Sequence, residues 1–202
     1  MAAYKSERRQ QQAQTTRRDI LRAARWLFAE RGYAATSMSE IARDAGVAVQ
    51  TIYASCGSKR QLVLALIDTI DEEADVASLA AELAQSDEPR EIIALGVRIT
   101  RQLNERCGDI ISALLSAASV EPDAAAAAAE GKRRHREGTA RTAHKLQTLG
   151  ALRQGLSADD AAALLATLTW HPAYAQLTQE HNWTYDQCEQ WLTNVLVSSL
   201  LG

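Results

Sequence analysis

The chain has 202 residues, 47% apolar and 23% charged, with a formal net charge of -3. A chain of this length buries roughly 70% of its unfolded surface, enough for one sizeable domain or two small ones without disulfide staples. Its three cysteines, Cys56, Cys107 and Cys188, form no CxxC pair and are odd in number, which argues against a disulfide framework or a zinc site and for a reducing compartment.

The average charge conceals an asymmetry. Residues 1–62 hold eleven Lys and Arg against five Asp and Glu, a charge of +6, and residues 63–202 carry -9. A small polyanion-binding head on an acidic body has this split, and solvated helix faces also produce it. The opening segment "MAAYKSERRQQQAQTTRRD" has no apolar signal core. No later apolar run approaches the ~20 residues that cross a bilayer, so a cytoplasmic protein with no membrane partner is expected.

Three prolines, abundant alanine and leucine and few alternating β-branched runs favour an all-α fold of about nine helices. Residues 1–14 read as a flexible basic arm. Helix starts are then marked by a hydroxyl residue followed three positions later by an acid or amide, the reciprocal capping box. Thr16 with Asp19 opens a helix to about Glu30 that buries Ile20, Ala24, Leu27 and Phe28, and Gly32 ends it. Ser37 with Glu40 opens a short helix that stops at Gly46, and a third covers Val49 to about Ala54. Ser58 caps a fourth, predicted to run through Leu62, Leu66 and Ile70 to about Ala80.

Further along, Asp87 and Pro89 start a helix to about Glu105, and another is expected from Asp109 to Ser119. Pro122 opens a long helix through Ala124 to Ala129 and "EGKRRHREG", closed by Gly150. Ser157 with Asp160 caps an alanine-rich helix reaching "LTWHP", and Thr184 with Gln187 caps the last one. The expected domains are 15–62 and 63–202, with their boundary inside the fourth helix.

Function concentrates in "AGVAVQTIYASCGSKRQL", Ala45 to Leu62. Two helices crossing steeply through a tight turn need small residues where their backbones meet, and Ala42 and Ala45 supply them. The turn needs a residue that tolerates positive φ, here Gly46. Val47 and Ile52 are placed as inward pegs. This is a helix-turn-helix pattern, and it leaves Ala48, Val49, Gln50 and Thr51 at the outward N-terminal edge of the third helix. A major groove accepts such an edge, and Gln bonds adenine N6 and N7 in bidentate fashion, so Gln50 is the expected base reader. Thr36 and Ser37 at one helix N-terminus, Ser58 and Lys59 at another, and the Tyr53 hydroxyl are the expected phosphate contacts.

The stretch "GYAATSMSEIARDAGVAVQTIYASCGSKRQL", Gly32 to Leu62, resembles the TetR family of bacterial transcriptional regulators. The family pattern reads approximately GYxxTSMxxIAxxAGVSxGTIYxHFxSKxxL. "ILRAARWLFAER" extends the likeness upstream, and "NWTYDQCEQWLTNVLVSSLL" is similar to the family's C-terminal helix. Ala48 departs from the usual capping hydroxyl, Gln50 from a common glycine, and Ser55 and Cys56 from His or Tyr and Phe.

The resemblance implies an all-α homodimer: a three-helix DNA-binding domain plus a larger C-terminal effector-binding and dimerisation domain. It also implies double-stranded operator DNA and a small-molecule effector as partners, with most members acting as repressors. Leu114, Leu115, His144, Trp170, His171 and Tyr174 are candidate pocket residues. Ala163, Thr167, Trp170, Trp191 and Val195 are candidates for the dimer interface, where large aromatics dominate. The alternatives are a helical adaptor and an enzyme on a helical scaffold. No HExxH, GxSxG, P-loop or dinucleotide fingerprint supports the enzyme, and no cofactor or metal is expected.

Overall fold

The structure, a computed structural model, describes the backbone of residues 2–202 and the side chains of residues 8–69 and 74–202. Among the described residues it holds α1 (Ala2–Arg31), α2 (Met38–Asp44), α3 (Val49–Cys56), α4 (Lys59–Glu73), α5 (Val76–Gln85) and α6 (Pro89–Ala117). These are followed by α7 (Pro122–Thr148), α8 (Ala158–Leu168), α9 (His171–Ala175), a π-helical turn (Gln176–Glu180) and α10 (Tyr185–Leu200). The one β feature among these residues is an isolated antiparallel bridge between Leu152 and Leu201. The fold is all-α. No described helix is long and apolar enough to cross a membrane.

Three of the expected capping signals start helices. Ser37 caps α2 and closes a reciprocal box with Glu40, and Thr184 does the same with Gln187 on α10. Ser157 accepts from the Asp160 amide at the start of α8. Gly150, at φ +66, ends α7 in the left-handed conformation a side chain disfavours.

Three boundaries differ from the sequence reading. α1 begins at Ala2, so Thr16 and Asp19 lie inside it. No glycine or proline interrupts residues 2–31, and Gln, Ala and Arg propagate a helix that a capping residue alone does not stop. α4 ends at Glu73 instead of near Ala80, where Asp75 adopts φ 53 and α5 restarts at Val76. Aspartate tolerates that left-handed geometry better than most residues, although neither Gly nor Pro announces the break. α6 runs unbroken through Cys107 and Gly108, where two helices were expected. Gly108 is a packing residue there: a Cβ at this position would lie 3.4 Å from Cε1 of His171 and 3.8 Å from the Tyr185 hydroxyl.

The chain divides into two compact units. One runs up to Thr69 and includes Ser112–Ala128; the other comprises Ile70–Ile111 and Ala129–Gly202. In the first, α1, α2 and α3 pack on one another around Ile20, Leu27, Phe28, Tyr33, Ile41 and Ile52, all essentially buried. Phe28 and Tyr33 rings meet at 5.1 Å, tilted. In the second, Ile92, Ile93, Val97, Leu146, Leu165, Leu192 and Leu196 form the centre of one apolar cluster, and α8 packs on α10.

Candidate nucleic-acid interface

The interface is built from a turn held at both ends. In α2 the Ser37 Oγ accepts from the Glu40 amide at 3.2 Å, and the Ser37 amide donates to Oε2 of Glu40 at 2.8 Å. Arg31 in the last turn of α1 donates to the same carboxylate at 3.0 Å, so α2 is tied to α1. The Ser37 amide and hydroxyl, with Arg31 and Arg43, hold the Glu40 carboxyl below the usual carboxylate range. α2 then ends in a Schellman motif: the Gly46 amide donates to the Arg43 carbonyl at 3.3 Å and the Val47 amide to the Ala42 carbonyl at 2.9 Å. Gly46 sits at φ +67, as this motif requires. Ala42 is 3% exposed where the helices meet and Ile52 is fully buried, so the inward side of α3 is fixed as expected. Val47 is only half-buried.

The outward edge is open. Ala48 and Gln50 are exposed, Val49 and Thr51 half-buried, and Tyr53 is 55% exposed. Ala48 is the N-cap of α3 and makes no side-chain cap bond, which leaves the first amides of the helix available apart from Thr51, whose amide bonds the Ala48 carbonyl at 2.9 Å. At the far end Gly57, φ +74, lets the chain enter α4. A Cβ there would overlap Oε1 of Gln61. That Gln61 oxygen accepts from the Ser58 amide at 2.8 Å while the Ser58 Oγ accepts from the Gln61 amide at 3.3 Å, a second reciprocal box.

Two of the residues expected at phosphates, Thr36 and Lys59, are turned inward in this structure. Thr36 is 2% exposed, and its hydroxyl is turned to the Gly32 carbonyl at 2.9 Å and the Leu27 carbonyl at 3.2 Å. It ties the loop before α2 back to the C-terminal end of α1. Lys59 does not extend into solvent either. Its Nζ lies 4.1 Å from the centre of the Tyr33 ring and 6.0 Å from that of Phe28, a cation–π arrangement on a buried aromatic pair. Burial lowers its pKa, and Glu121, Asp123 and Glu40 act in the opposite direction.

Sequence reasoning missed Arg17. Its Nη1 donates to the Ser55 carbonyl at 2.7 Å and contacts the Cys56 Sγ at 3.6 Å. A guanidinium at the C-terminal end of α3 satisfies an orphan carbonyl and complements the negative end of the helix dipole. The small Cys56 side chain, 7% exposed where the resembled pattern has phenylalanine, shares this contact. The only available signal was that pair of departures at 55 and 56.

In the larger unit His171 is 6% exposed, and its Nδ1 lies 2.6 Å from Oδ1 of Asn104. Asn104 in turn donates to the Thr100 carbonyl at 2.7 Å and accepts from the Tyr185 hydroxyl at 3.0 Å through its own carbonyl. Tyr174 is buried with its hydroxyl 3.1 Å from that of Thr100, and burial raises its pKa. The structure therefore joins His171 and Tyr174 through α6 in one polar network. Trp170 is half-buried against His135, ring centres 5.1 Å apart. Leu114 and Leu115 belong to the other unit. His144, expected among the pocket residues, is exposed on α7. On α8 and α10, Ala163, Thr167 and Trp191 are exposed and Val195 half-buried, beside Leu164 at 38% exposure. Among the described residues no group of three or more His, Cys, Asp or Glu is placed to hold a metal ion.

This geometry can be set beside known proteins. The family model described as bacterial regulatory proteins, tetR family, matches residues 20–66, which span α1's buried half through the first turns of α4. The HTH-type transcriptional regulator TtgR of Pseudomonas putida is 38% identical over 82 residues, an alignment that spans 41% of this chain and 39% of that relative's length. The structure of NalD, the secondary repressor of the MexAB-OprM multidrug efflux pump in Pseudomonas aeruginosa, has a TM-score of 0.76 at 21% identity and covers 95% of this chain and 98% of its own. A transcriptional regulator from Saccharomonospora viridis in complex with choline has a TM-score of 0.72 at 23% identity, covering 92% and 97%. At such identities the two structures establish the shared fold. In sequence, the likeness to the tetR family of bacterial regulatory proteins is carried by the helix-turn-helix head, residues 20–66, and the chain spans less than half the length of the relative it matches.

Proposed function

We propose that this protein is a transcriptional regulator, a repressor by preference, that binds a palindromic operator in the cytoplasm as a homodimer and is released by a small-molecule effector. The observation that carries this reading is the N-terminal edge of α3, where Ala48 and Gln50 are exposed while a buried Ile52 and the Gly46 turn hold the helix from behind. Gln50 reads a base edge. Phosphates are met by Tyr53, by the first-turn amides of α2 and α4 beside Ser37 and Ser58, and by Lys59 once it leaves the Tyr33 ring. The basic residues of α1 ahead of the core, Arg9 and Arg18 among them, are exposed and add a sequence-independent attraction.

Pairing of α8 and α10 with their mates would cover Ala163, Leu164, Thr167, Trp191 and Val195, and would set two α3 helices about 34–36 Å apart, one turn of DNA. The choline bound by one structural neighbour supports a small organic effector for this chain. The polar groups of Asn104, His171 and Tyr174 are the recognition elements we assign to it. An effector that favours one spacing of the heads shifts the population away from the operator-matched one.

The test is duplex binding across a salt series. A palindromic site should bind tightly, with affinity falling steeply as salt rises. Gln50→Ala should lose about 1–3 kcal/mol of base discrimination while retaining non-specific binding. Binding indifferent to both sequence and salt would overturn the reading.

A further inference from the structure

We infer that Glu121 and Asp123, outside the helix-turn-helix, set the DNA affinity of the head by competing with backbone phosphate for the Lys59–Arg60 pair at the start of α4. The inference rests on the DNA-binding reading above.

Arg60 Nε stands 4.0 Å from Oδ1 of Asp123, with both side chains about half exposed. Its neighbour Lys59 is folded back onto Tyr33 at 4.1 Å. All of these residues lie in the first compact unit, which includes Ser112–Ala128. The two acids are held by backbone that has its own reasons to be there. The Glu121 amide donates to the Ala117 carbonyl at 2.9 Å, and the Glu121 carbonyl accepts from Ala125 at 3.0 Å as the first bond of α7. Asp123 follows Pro122 in the first turn of that helix, where its charge complements the dipole.

The electrostatics agree with the geometry. Glu121 and Asp123 are the two largest favourable charges on Lys59, and burial, joined by the same two acids, pushes the Tyr33 phenol up to about 12. The start of α4 thus combines two cations with a helix N-terminus, the composition of a phosphate site, and the chain already supplies carboxylates to it. An arriving phosphate must draw Arg60 from Asp123 and Lys59 from its ring. The strength of the internal pairing therefore subtracts from the affinity for every sequence alike, and any shift of the α6–α7 junction would change it.

The experiment compares wild type with E121Q/D123N on a palindromic and a scrambled duplex by fluorescence anisotropy, with K59A/R60A added to both backgrounds. Removing the partly exposed Arg60–Asp123 ion pair together with the Glu121 charge should tighten binding to both duplexes by about three- to tenfold, with the gain shrinking as salt rises. The gain should vanish in the K59A/R60A background. Unchanged or weaker binding by a folded E121Q/D123N protein overturns the inference, as does a gain that survives K59A/R60A. Should the double variant melt early, E121Q and D123N are read singly, and no gain from either is equally fatal. Failure of the wild type to bind any duplex would instead sink the DNA-binding reading.

Discussion

Ala48→Ser should stabilise the reading helix, and the structure sets the size of the effect. Helices α2, α8 and α10 are capped by Ser37 at φ -99, ψ 156, Ser157 at φ -77, ψ 160 and Thr184 at φ -74, ψ 157. Each side-chain oxygen accepts from an amide three residues on, at 3.2, 3.1 and 3.2 Å. Ala48 holds the same backbone, φ -72 and ψ 149, without the oxygen. A hydroxyl added there meets the Thr51 amide with no backbone rearrangement but shares it with the Ala48 carbonyl, 2.9 Å away, so a gain of up to about 1 kcal/mol should appear. In urea the midpoint should rise at constant m, and for a chain of this size the melting temperature should rise by about 2–4 °C. If free α3 frays, the firmer helix should also bind palindromic and scrambled duplexes up to about fivefold more tightly. A midpoint that stays put or falls would refute the claim that α3 lacks only its cap.

Other expectations follow from the same geometry. Thr36→Val keeps the shape but removes the donor to the Gly32 and Leu27 carbonyls, and should cost about 1 kcal/mol of stability with DNA affinity intact; lost affinity at unchanged stability would return Thr36 to the phosphate contacts. Arg17→Met keeps the aliphatic stem and deletes the bond to Ser55, so amide hydrogen exchange in α3 should accelerate and binding to all duplexes weaken. Unaltered exchange would show the contact to be passive. Ile52→Ala empties a fully buried site and should cost about 2–5 kcal/mol, read by denaturant titration. Burial holds His135 and His171 below the ordinary histidine value of 6.5, with the bond from His135 to Ala166 opposing it in part. The unfolded chain therefore binds more protons just below pH 6.5, and stability should fall as pH drops through that value. Equal urea midpoints at pH 7.5 and 5.5 would show that these rings carry no such penalty.

What the amino-acid order determined by itself was local. A capping box joins residues three apart, and a left-handed glycine ends the helix it follows, so Ser37, Ser157, Thr184, Gly46 and Gly150 could be read without knowing what lies across the core. The helix-turn-helix was legible for the same reason, since Ala42, Gly46 and Ile52 fall within eleven residues. Where local signals competed, the reading failed: Thr16 and Asp19 form a start signal that an already growing α1 runs through, and Asp75 breaks α4–α5 without Gly or Pro. The tertiary structure alone decided the rest, because it rests on groups far apart in the chain. Gly108 lies inside α6 with His171 and Tyr185 at van der Waals distance from where its Cβ would be, and Thr36 turns inward to the Leu27 and Gly32 carbonyls at the end of α1. Arg17 reaches Ser55, and Lys59 settles on Tyr33 near acids some sixty residues further along. A charge or hydroxyl is assigned its partner by the packing that surrounds it, and no spacing along the chain encodes that packing.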